Sequence, residues 1–220
     1  VAAFATLRVP KNFSPRNPQM RRDLAAAVRE KARTAPPFER RGRRGAMDPE
    51  LVAQIDALRA DVESDPAGVA AITTMWANNE MGTVQPICDV VAMVRELGIP
   101  VHSDAVQAAG YVPLDFQASG LDAMTVTAHK LGGPVGVGAL VIRREHDPVA
   151  LLHGGGQERD IRSGTVSVAL IAAFAKALDL TVERQAEAAA HIEALRARLV
   201  EGIVRLVPDA IVNGDPEPGP

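Results

Sequence analysis

The sequence has few aromatic residues, one cysteine and no long apolar run. Phe, Trp and Tyr make up 3% of its 220 residues, so a surface that stacks on nucleic-acid bases is hard to assemble, and no nucleic-acid partner is expected. The single cysteine, Cys88, excludes an internal disulfide framework and favours a reducing compartment such as the cytoplasm. No apolar run is long enough to cross a bilayer, so no membrane partner is expected.

The rest of the composition is that of a globular protein, with 47% hydrophobic and 23% charged residues. With so few aromatic rings, the core must consist mainly of Val, Leu, Ile and Ala. Charge is distributed unevenly. Residues 1–45 hold 12 of the 24 Lys and Arg residues against three acids, a net charge of +9, which leaves −12 on the remainder. Such a split is typical of a basic tail.

Residues 1–45 show scattered Arg and Pro without a regular hydrophobic period, apart from a possible helix at residues 23–33. Three interpretations are open. The segment is a disordered basic extension, an Arg-rich targeting peptide, or sequence that is not native, as a shifted reading frame would produce. We expect a basic extension that is either disordered or non-native.

From Met47 onward the pattern is regular. Asp48 and Pro49 predict a helix start, and Leu51, Ile55, Leu58 and Val62 follow at helical spacing. Residues 69–75 form a nearly continuous apolar run typical of a buried strand. Residues 86–97 predict an amphipathic helix. Residues 139–142 predict an antiparallel strand, residues 167–206 a long helical stretch with Leu195, Leu199, Ile203 and Leu206 as its apolar stripe, and residues 210–212 a last strand.

Polar side chains follow two of the predicted strands. Residues 101–103 lead into Asp104, and residues 123–127 are followed closely by Lys130. If these strands are parallel neighbours, Asp104 and Lys130 emerge at the same carboxyl edge of the sheet, where α/β folds place their ligands. Gln107 lies about one helical turn after Asp104 and can face the same way.

Such a pair suits pyridoxal phosphate, which needs a lysine amine to bind its aldehyde and an acid to keep its ring nitrogen protonated. The alternative is a surface lysine and a strand-end aspartate that never meet. Two loops add polar groups. Residues 76–82 contain two asparagines and a glutamate, which suit either ligand contact or a turn, and residues 153–165 suit either anion binding or a solvated surface loop. The glycines of residues 131–138 indicate either close backbone packing or a sharp reversal.

Five short motifs occur in one order along the chain. They are N-N-E-x-G at 78–82, H-S-D-A-x-Q at 102–107, T-A-H-K at 127–130, G-G-G-x-E-R at 154–159 and R-S-G-T at 162–165. In this order and spacing they resemble the cysteine desulfurases, which belong to the class V aminotransferase group of pyridoxal-phosphate enzymes. The resemblance covers about residues 47–215.

The resemblance implies a role for each matching residue. Lys130 would bind the cofactor covalently as the catalytic lysine, and Asp104 would pair with the pyridine nitrogen. Gln107 and Asn79 would lie near the phenolic oxygen of the ring. No metal ion is implied.

For the phosphate, the resemblance implies Thr127 and His129 as ligands. Thr165 would reach the phosphate of the cofactor in a second copy, which implies a homodimer. The implied reaction converts L-cysteine to L-alanine and transfers sulfur through an enzyme persulfide, in iron–sulfur cluster assembly, to a possible acceptor protein.

The implied fold is α/β. Residues 46–165 would be the central part of a pyridoxal-phosphate transferase large domain with a mostly parallel sheet, and residues 166–220 a long helical stretch and the start of a small α/β domain. The family also has a phosphate-binding hydroxyl loop, a ring-stacking histidine, a catalytic cysteine and a substrate-binding arginine, and none of these can be placed here. Cys88 does not match that cysteine.

We therefore expect a fragmentary, truncated chain that does not complete the reaction alone. Alternatives are another class V enzyme, such as an aminotransferase or a selenocysteine lyase, and a non-catalytic dimerising remnant.

Overall fold

A computed structural model describes the backbone of residues 4–8 and 49–212 and the side chains of residues 52–212. This part of the chain alternates between strands and helices. In chain order the elements are β1 (Phe4–Arg8), α1 (Pro49–Ser64), β2 (Val69–Met75), α2 (Ile87–Val94), β3 (Val101–Asp104), α3 (Phe116–Ser119), β4 (Ala123–Thr127), β5 (Gly138–Ile142) and α4 (Val168–Leu206).

The described residues fall into two compact units. Of the described residues, the first unit holds 4–8, 49–104 and Asp115–Leu121, and the second holds Ala105–Leu114 and Asp122–Val212. The division predicted from the sequence, into residues 46–165 and 166–220, follows the chain rather than these contacts and stays a prediction.

The sheet of the first unit combines both strand directions. β2 and β3 pair in parallel, with Ile72 opposite Val101 and Met75 opposite Asp104. β1 pairs antiparallel with β2. The sequence did not predict β1, because it lies in a segment without a regular hydrophobic period. The predicted helix at residues 23–33 lies outside the described residues.

Helices α1 and α2 bury the apolar faces that their spacing predicts. Ile55, Leu58 and Val62 of α1 are buried, and α2 buries Ile87, Val90, Val91 and Val94. Leu51, the first residue of the predicted α1 face, lies outside the described side chains. At about 1.5–3 kcal/mol for each fully buried aliphatic side chain, these two stripes are a main source of stability in this unit.

The second unit contains the antiparallel pair β4–β5 and the long helix α4. Thr127 at the end of β4 is opposite Gly138 at the start of β5. A Cβ atom at Gly138 would lie 2.8 Å from the Val126 carbonyl oxygen, so the close approach of the two strands requires glycine there.

Helix α4 runs for 39 residues, in agreement with the long helix predicted from the sequence. The burial of its apolar side chains differs from the prediction. Phe174 is its one buried residue, whereas Leu195, Leu199, Ile203 and Leu206 are exposed. The strand predicted at residues 210–212 is wrong, because these residues form no ladder within the described part of the chain and the side chain of Ile211 is 84% exposed.

In the parts of the chain that the structure describes, no helix combines the length and the apolar character that a membrane span requires.

Candidate functional site

Lys130 lies on a tight turn directly after β4. A 3-10 turn, His129–Leu131, follows the strand, and the Ala128 carbonyl accepts hydrogen bonds from the backbone N–H groups of Leu131 and Gly133, both at 2.9 Å. Gly132 reverses the chain with a φ of 72°. The turn thus fixes the backbone of Lys130 while its side chain remains exposed.

Thr127 and His129 form a connected pair beside the lysine. The Thr127 hydroxyl lies 3.0 Å from Nδ1 of His129 and donates to the Val137 carbonyl at 3.3 Å. A hydroxyl has one proton, so when it goes to Val137 the hydroxyl accepts from the Nδ1–H of His129. The Ala128 N–H donates to the same Val137 carbonyl at 3.1 Å, which ties the end of β4 to the loop before β5.

The side of this turn that faces α4 borders a cavity of about 360 Å³. Its polar lining includes Lys130, Tyr111, Thr181 and Arg184. Two cationic groups, a phenol and a hydroxyl suit an anionic or polar ligand, and the remaining lining is apolar or glycine.

Gln107 belongs to the turn that leads toward this cavity. The Ala109 N–H donates to the Ala105 carbonyl at 2.9 Å, which makes one hydrogen-bonded turn around Gln107. The Gln107 side chain is half-buried, and Gly110 and Tyr111, a few residues further on, line the cavity.

In the first unit, Asp104 is the last residue of β3 and is half-buried. Because side chains alternate along a strand, His102 shares its face. Nδ1 of His102 lies 2.7 Å from the Thr73 hydroxyl. Burial lowers the pKa of His102, and the negative charge of Asp104 acts in the opposite direction. The neutral form of His102 is therefore favoured.

The two asparagines of the loop after β2 have different surroundings. The Asn78 side-chain oxygen accepts from the backbone N–H groups of Glu80 at 2.9 Å and Met81 at 2.8 Å, so Asn78 builds the turn. Asn79 is exposed beside it. Of the two interpretations of this loop, the turn holds for Asn78, and ligand contact stays a prediction for Asn79.

The loop that contains Thr165 is held by its own hydrogen bonds. The Gln157 side-chain oxygen accepts from the Gly164 N–H at 2.8 Å, and the Ser163 hydroxyl accepts from the Gly156 N–H at 3.3 Å. Residues 158–160, which are Glu, Arg and Asp, all have positive φ values between 50° and 65°, a strained conformation for residues with a side chain. Thr165 is exposed at the end of this loop.

Thr127, His129 and Lys130 lie next to one another in the second unit, which also contains Gln107 and Thr165. Asn79 and Asp104 belong to the first unit, and the predicted meeting of Asp104 with Lys130 stays a prediction. Three residues of α4 that line the same cavity as Lys130, which are Ala177, Thr181 and Arg184, were not predicted from the sequence. The sequence signal that could have indicated them is a small residue and a threonine four positions apart on a long helix, which places both on one face.

Comparison with known proteins gives consistent matches. The family model "Aminotransferase class-V" matches residues 46–217. An IscS-like cysteine desulfurase of Mycobacterium tuberculosis is 51% identical over 162 residues, which are 74% of this chain and 41% of that protein. A cysteine desulfurase of Sinorhizobium fredii is 42% identical over 148 residues, which are 67% of this chain and 38% of that protein.

Among solved structures, a NifS-like protein from Rickettsia africae superposes with a TM-score of 0.68 at 30% identity, over 73% of this chain and 45% of that one. The predicted α/β fold of a pyridoxal-phosphate enzyme is thereby confirmed. The chain spans less than half the length of each of these proteins. Because the family model covers most of its residues, the chain belongs to the class-V aminotransferases, a family of pyridoxal-phosphate-dependent enzymes.

Proposed function

We propose that this chain provides the cofactor-binding lysine and its supporting residues in a cysteine desulfurase, with L-cysteine as the substrate. The observation that carries the proposal is the turn of Lys130, which presents an exposed amine after β4 at the border of a cavity of about 360 Å³. Both curated relatives described above are named cysteine desulfurases, which supports this substrate over those of other class-V enzymes.

The donor set of the second unit fits pyridoxal phosphate. Lys130 supplies the amine, and Thr127 and His129, linked at 3.0 Å, supply a hydroxyl and an imidazole that suit phosphate oxygens. The hydrogen bonds to the Val137 carbonyl fix the orientation of Thr127, so less side-chain freedom is lost when an anion binds.

When bound, the cofactor supplies an electron sink that stabilises negative charge at the α-carbon of an amino acid. In our proposal Asp104 would hold the proton on the ring nitrogen, because a carboxylate accepts a hydrogen bond from a protonated pyridine. Gln107 and Asn79 would donate amide hydrogen bonds to the phenolic oxygen. Lys130 would bind the cofactor and then move the proton that the substrate α-carbon releases.

In the proposed reaction the carbon–sulfur bond of L-cysteine breaks, a protein thiolate takes the sulfur, and L-alanine leaves. Cys88 is not assigned that thiolate. Burial raises the pKa of its thiol, and the charge of Asp89 raises it further, whereas a sulfur-accepting cysteine needs a lowered pKa. An acceptor protein then receives the sulfur.

A homodimer is part of the proposal. Thr165 lies at the end of an exposed loop whose shape is fixed by hydrogen bonds within the loop. A residue that contacts a second copy must be exposed and held in place in this way. In that role its hydroxyl binds the cofactor phosphate of the partner. We also propose a cytoplasmic location, because a sequence with one cysteine fits a reducing compartment.

The test is covalent capture of the cofactor by the folded chain. Pyridoxal phosphate is added, the yellow absorbance is recorded, and borohydride reduction followed by peptide mass analysis locates the modified lysine. We expect the label on Lys130 and its loss, together with the colour, in Lys130→Ala, because Lys130 borders the cavity and Lys176, the other lysine of the described residues, does not.

Lys176→Ala is the matched control, since Lys176 is an exposed lysine of the same unit. It is expected to retain colour and label. A label that is spread over several lysines, or that is equal in Lys130→Ala and the unmodified chain, contradicts the proposal. The change in the yellow absorbance on addition of L-cysteine, compared with the change on addition of L-selenocysteine, then separates a desulfurase site from that of a selenocysteine lyase without requiring turnover.

A further inference from the structure

The lysine turn packs unusually closely against helix α4. An ideal Cβ atom at Gly133 would lie 3.0 Å from the Ala128 carbonyl oxygen and 3.1 Å from the Cβ atoms of both Ala128 and Ala177. Gly133 is not among the residues with a positive φ. Glycine is therefore favoured at this position for space and not for backbone conformation, since an added carbon would force Ala128 or Ala177 to shift by a few tenths of an ångström.

Thr181, one helical turn further along α4, binds the same lysine turn. Its hydroxyl donates to the Leu131 carbonyl at 3.3 Å. Its methyl carbon would lie 2.6 Å from a Cβ atom at Gly110, a residue with a φ of 90°, so the segment before α3 also closes on this threonine. One side chain thus contacts both the residue that follows Lys130 and the segment that lines the cavity.

Ala177 and Thr181 belong to one stripe of α4. With Gln185 they recur every four residues and so lie on one face of the helix. The Gln185 side-chain amide donates to the Val112 carbonyl at 2.7 Å. We define Ala177, Thr181 and Gln185 as the α4 stripe. The α4 stripe contacts the lysine turn at Gly133 and Leu131 and the neighbouring segment at Gly110 and Val112. Two of its members also line the cavity that Lys130 borders.

We propose that the α4 stripe, acting through Gly133 and Leu131, sets the position of the Lys130 amine toward the cofactor. This inference rests on the proposed function. The members of the stripe are positioning residues, because they act on the backbone that carries Lys130. Close-packed contacts transmit small displacements, so an added methyl group at Gly133 moves the lysine turn by a few tenths of an ångström or more.

The main experiment compares Gly133→Ala with the double variant Gly133→Ala/Ala177→Gly, in which the helix loses the carbon that the turn gains. The first readout needs no cofactor. Competitive acylation with acetic anhydride, analysed by mass spectrometry, gives the reactivity of the Lys130 amine relative to that of Lys176. We expect Gly133→Ala to change this ratio by roughly threefold and the double variant to restore it, because the reactivity of an amine depends on the groups around it, and these change when the turn moves.

The second readout is the affinity for pyridoxal phosphate, followed by the yellow absorbance across a pH series. We expect Gly133→Ala to weaken binding by roughly tenfold and to displace the pH midpoint of the absorbance, again with recovery in the double variant. Gly202→Ala and Ala173→Gly are the matched controls. Gly202 has open space around its Cβ position, and Ala173 is an exposed alanine of the same helix.

Thr181→Val gives a second route should Gly133→Ala fail to fold. This variant keeps the size of the side chain and removes the hydrogen bond to Leu131. We expect it to change the acylation ratio as Gly133→Ala does. Thr181→Ser, which keeps the hydroxyl, is expected to leave the ratio unchanged. An unchanged ratio in folded Gly133→Ala and in Thr181→Val overturns the inference. If the unmodified chain binds no cofactor on Lys130, the proposed function fails, and the acylation ratio still decides whether the stripe positions the amine.

Discussion

Helix α2 and the second half of α4 have equally regular apolar stripes and opposite surroundings. In α2, Ile87, Val90, Val91 and Val94 are at most 5% exposed. In α4, Leu195, Leu199, Ile203 and Leu206 are between 45% and 77% exposed. A 3.6-residue period predicts a helix and the face that prefers burial, but the elements packed on that face decide whether it is covered.

Truncation within the two stripes gives a large expected contrast. Ile87→Ala leaves a cavity in a core position and is expected to lower the free energy of unfolding by about 2–5 kcal/mol. Leu199→Ala, at 64% exposure, is expected to change it by no more than about 0.5 kcal/mol. Chemical denaturation monitored by circular dichroism measures both. Equal losses in the two variants would show that the exposure of Leu199 in the structure does not hold in solution.

A charge on the exposed face sharpens the same contrast. Leu199→Lys is expected to leave the free energy of unfolding within about 0.5 kcal/mol of the original value, because the ammonium group remains in water. Val90→Lys is the matched variant on the covered face, where the side chain is fully buried, and it is expected to prevent stable folding.

The free energies of unfolding of Leu199→Ala and Leu199→Lys should be measured at several protein concentrations. A loss in Leu199→Lys that grows with concentration would mean that a second copy covers this face, since binding stabilises the folded state by mass action. A loss that is independent of concentration would mean that the same chain covers it.

The smallest expected effect lies on the outer side of α2. Cys88 is exposed, yet burial raises the pKa of its thiol and Asp89 raises it further. A raised pKa leaves less thiolate at a given pH, so alkylation by iodoacetamide is expected to be slower than for a free thiol at pH 8 and to reach half of its maximum rate at a higher pH.

Asp89→Asn removes the second cause and is expected to move that midpoint modestly downward. A midpoint that is unchanged in this variant, or one below that of a free thiol, contradicts the expected electrostatics around Cys88.

Local sequence was sufficient where the residues of a feature are neighbours in the chain. The apolar runs of β2 and β4 and the period of α2 predicted these elements, because each depends on contacts repeated every two to four residues. The end of β4 was predictable for the same reason. Thr127, His129 and Lys130 are within four residues of one another, and strand geometry places them together.

The sequence failed where the deciding contact is remote. Strand β1 has no hydrophobic period of its own and is recognised by its pairing with β2. Thr181 is 50 residues from the Leu131 carbonyl to which it donates, and no local pattern marks such a pair. The exposed stripe of α4 is the converse case, since its pattern is strong and the described chain does not cover it.

The glycines after Lys130 show, within a few residues, one feature set by local sequence and one set by a remote contact. The sequence alone determined that the backbone there needs residues without a side chain, and it left two causes open, a reversal and a close approach. The tertiary structure assigned the reversal to Gly132, which has a φ of 72°, and the close approach to Gly133, which Ala177 of α4 faces. A backbone angle is a property of the residue itself, whereas the space beside it depends on a helix more than forty positions away in the chain.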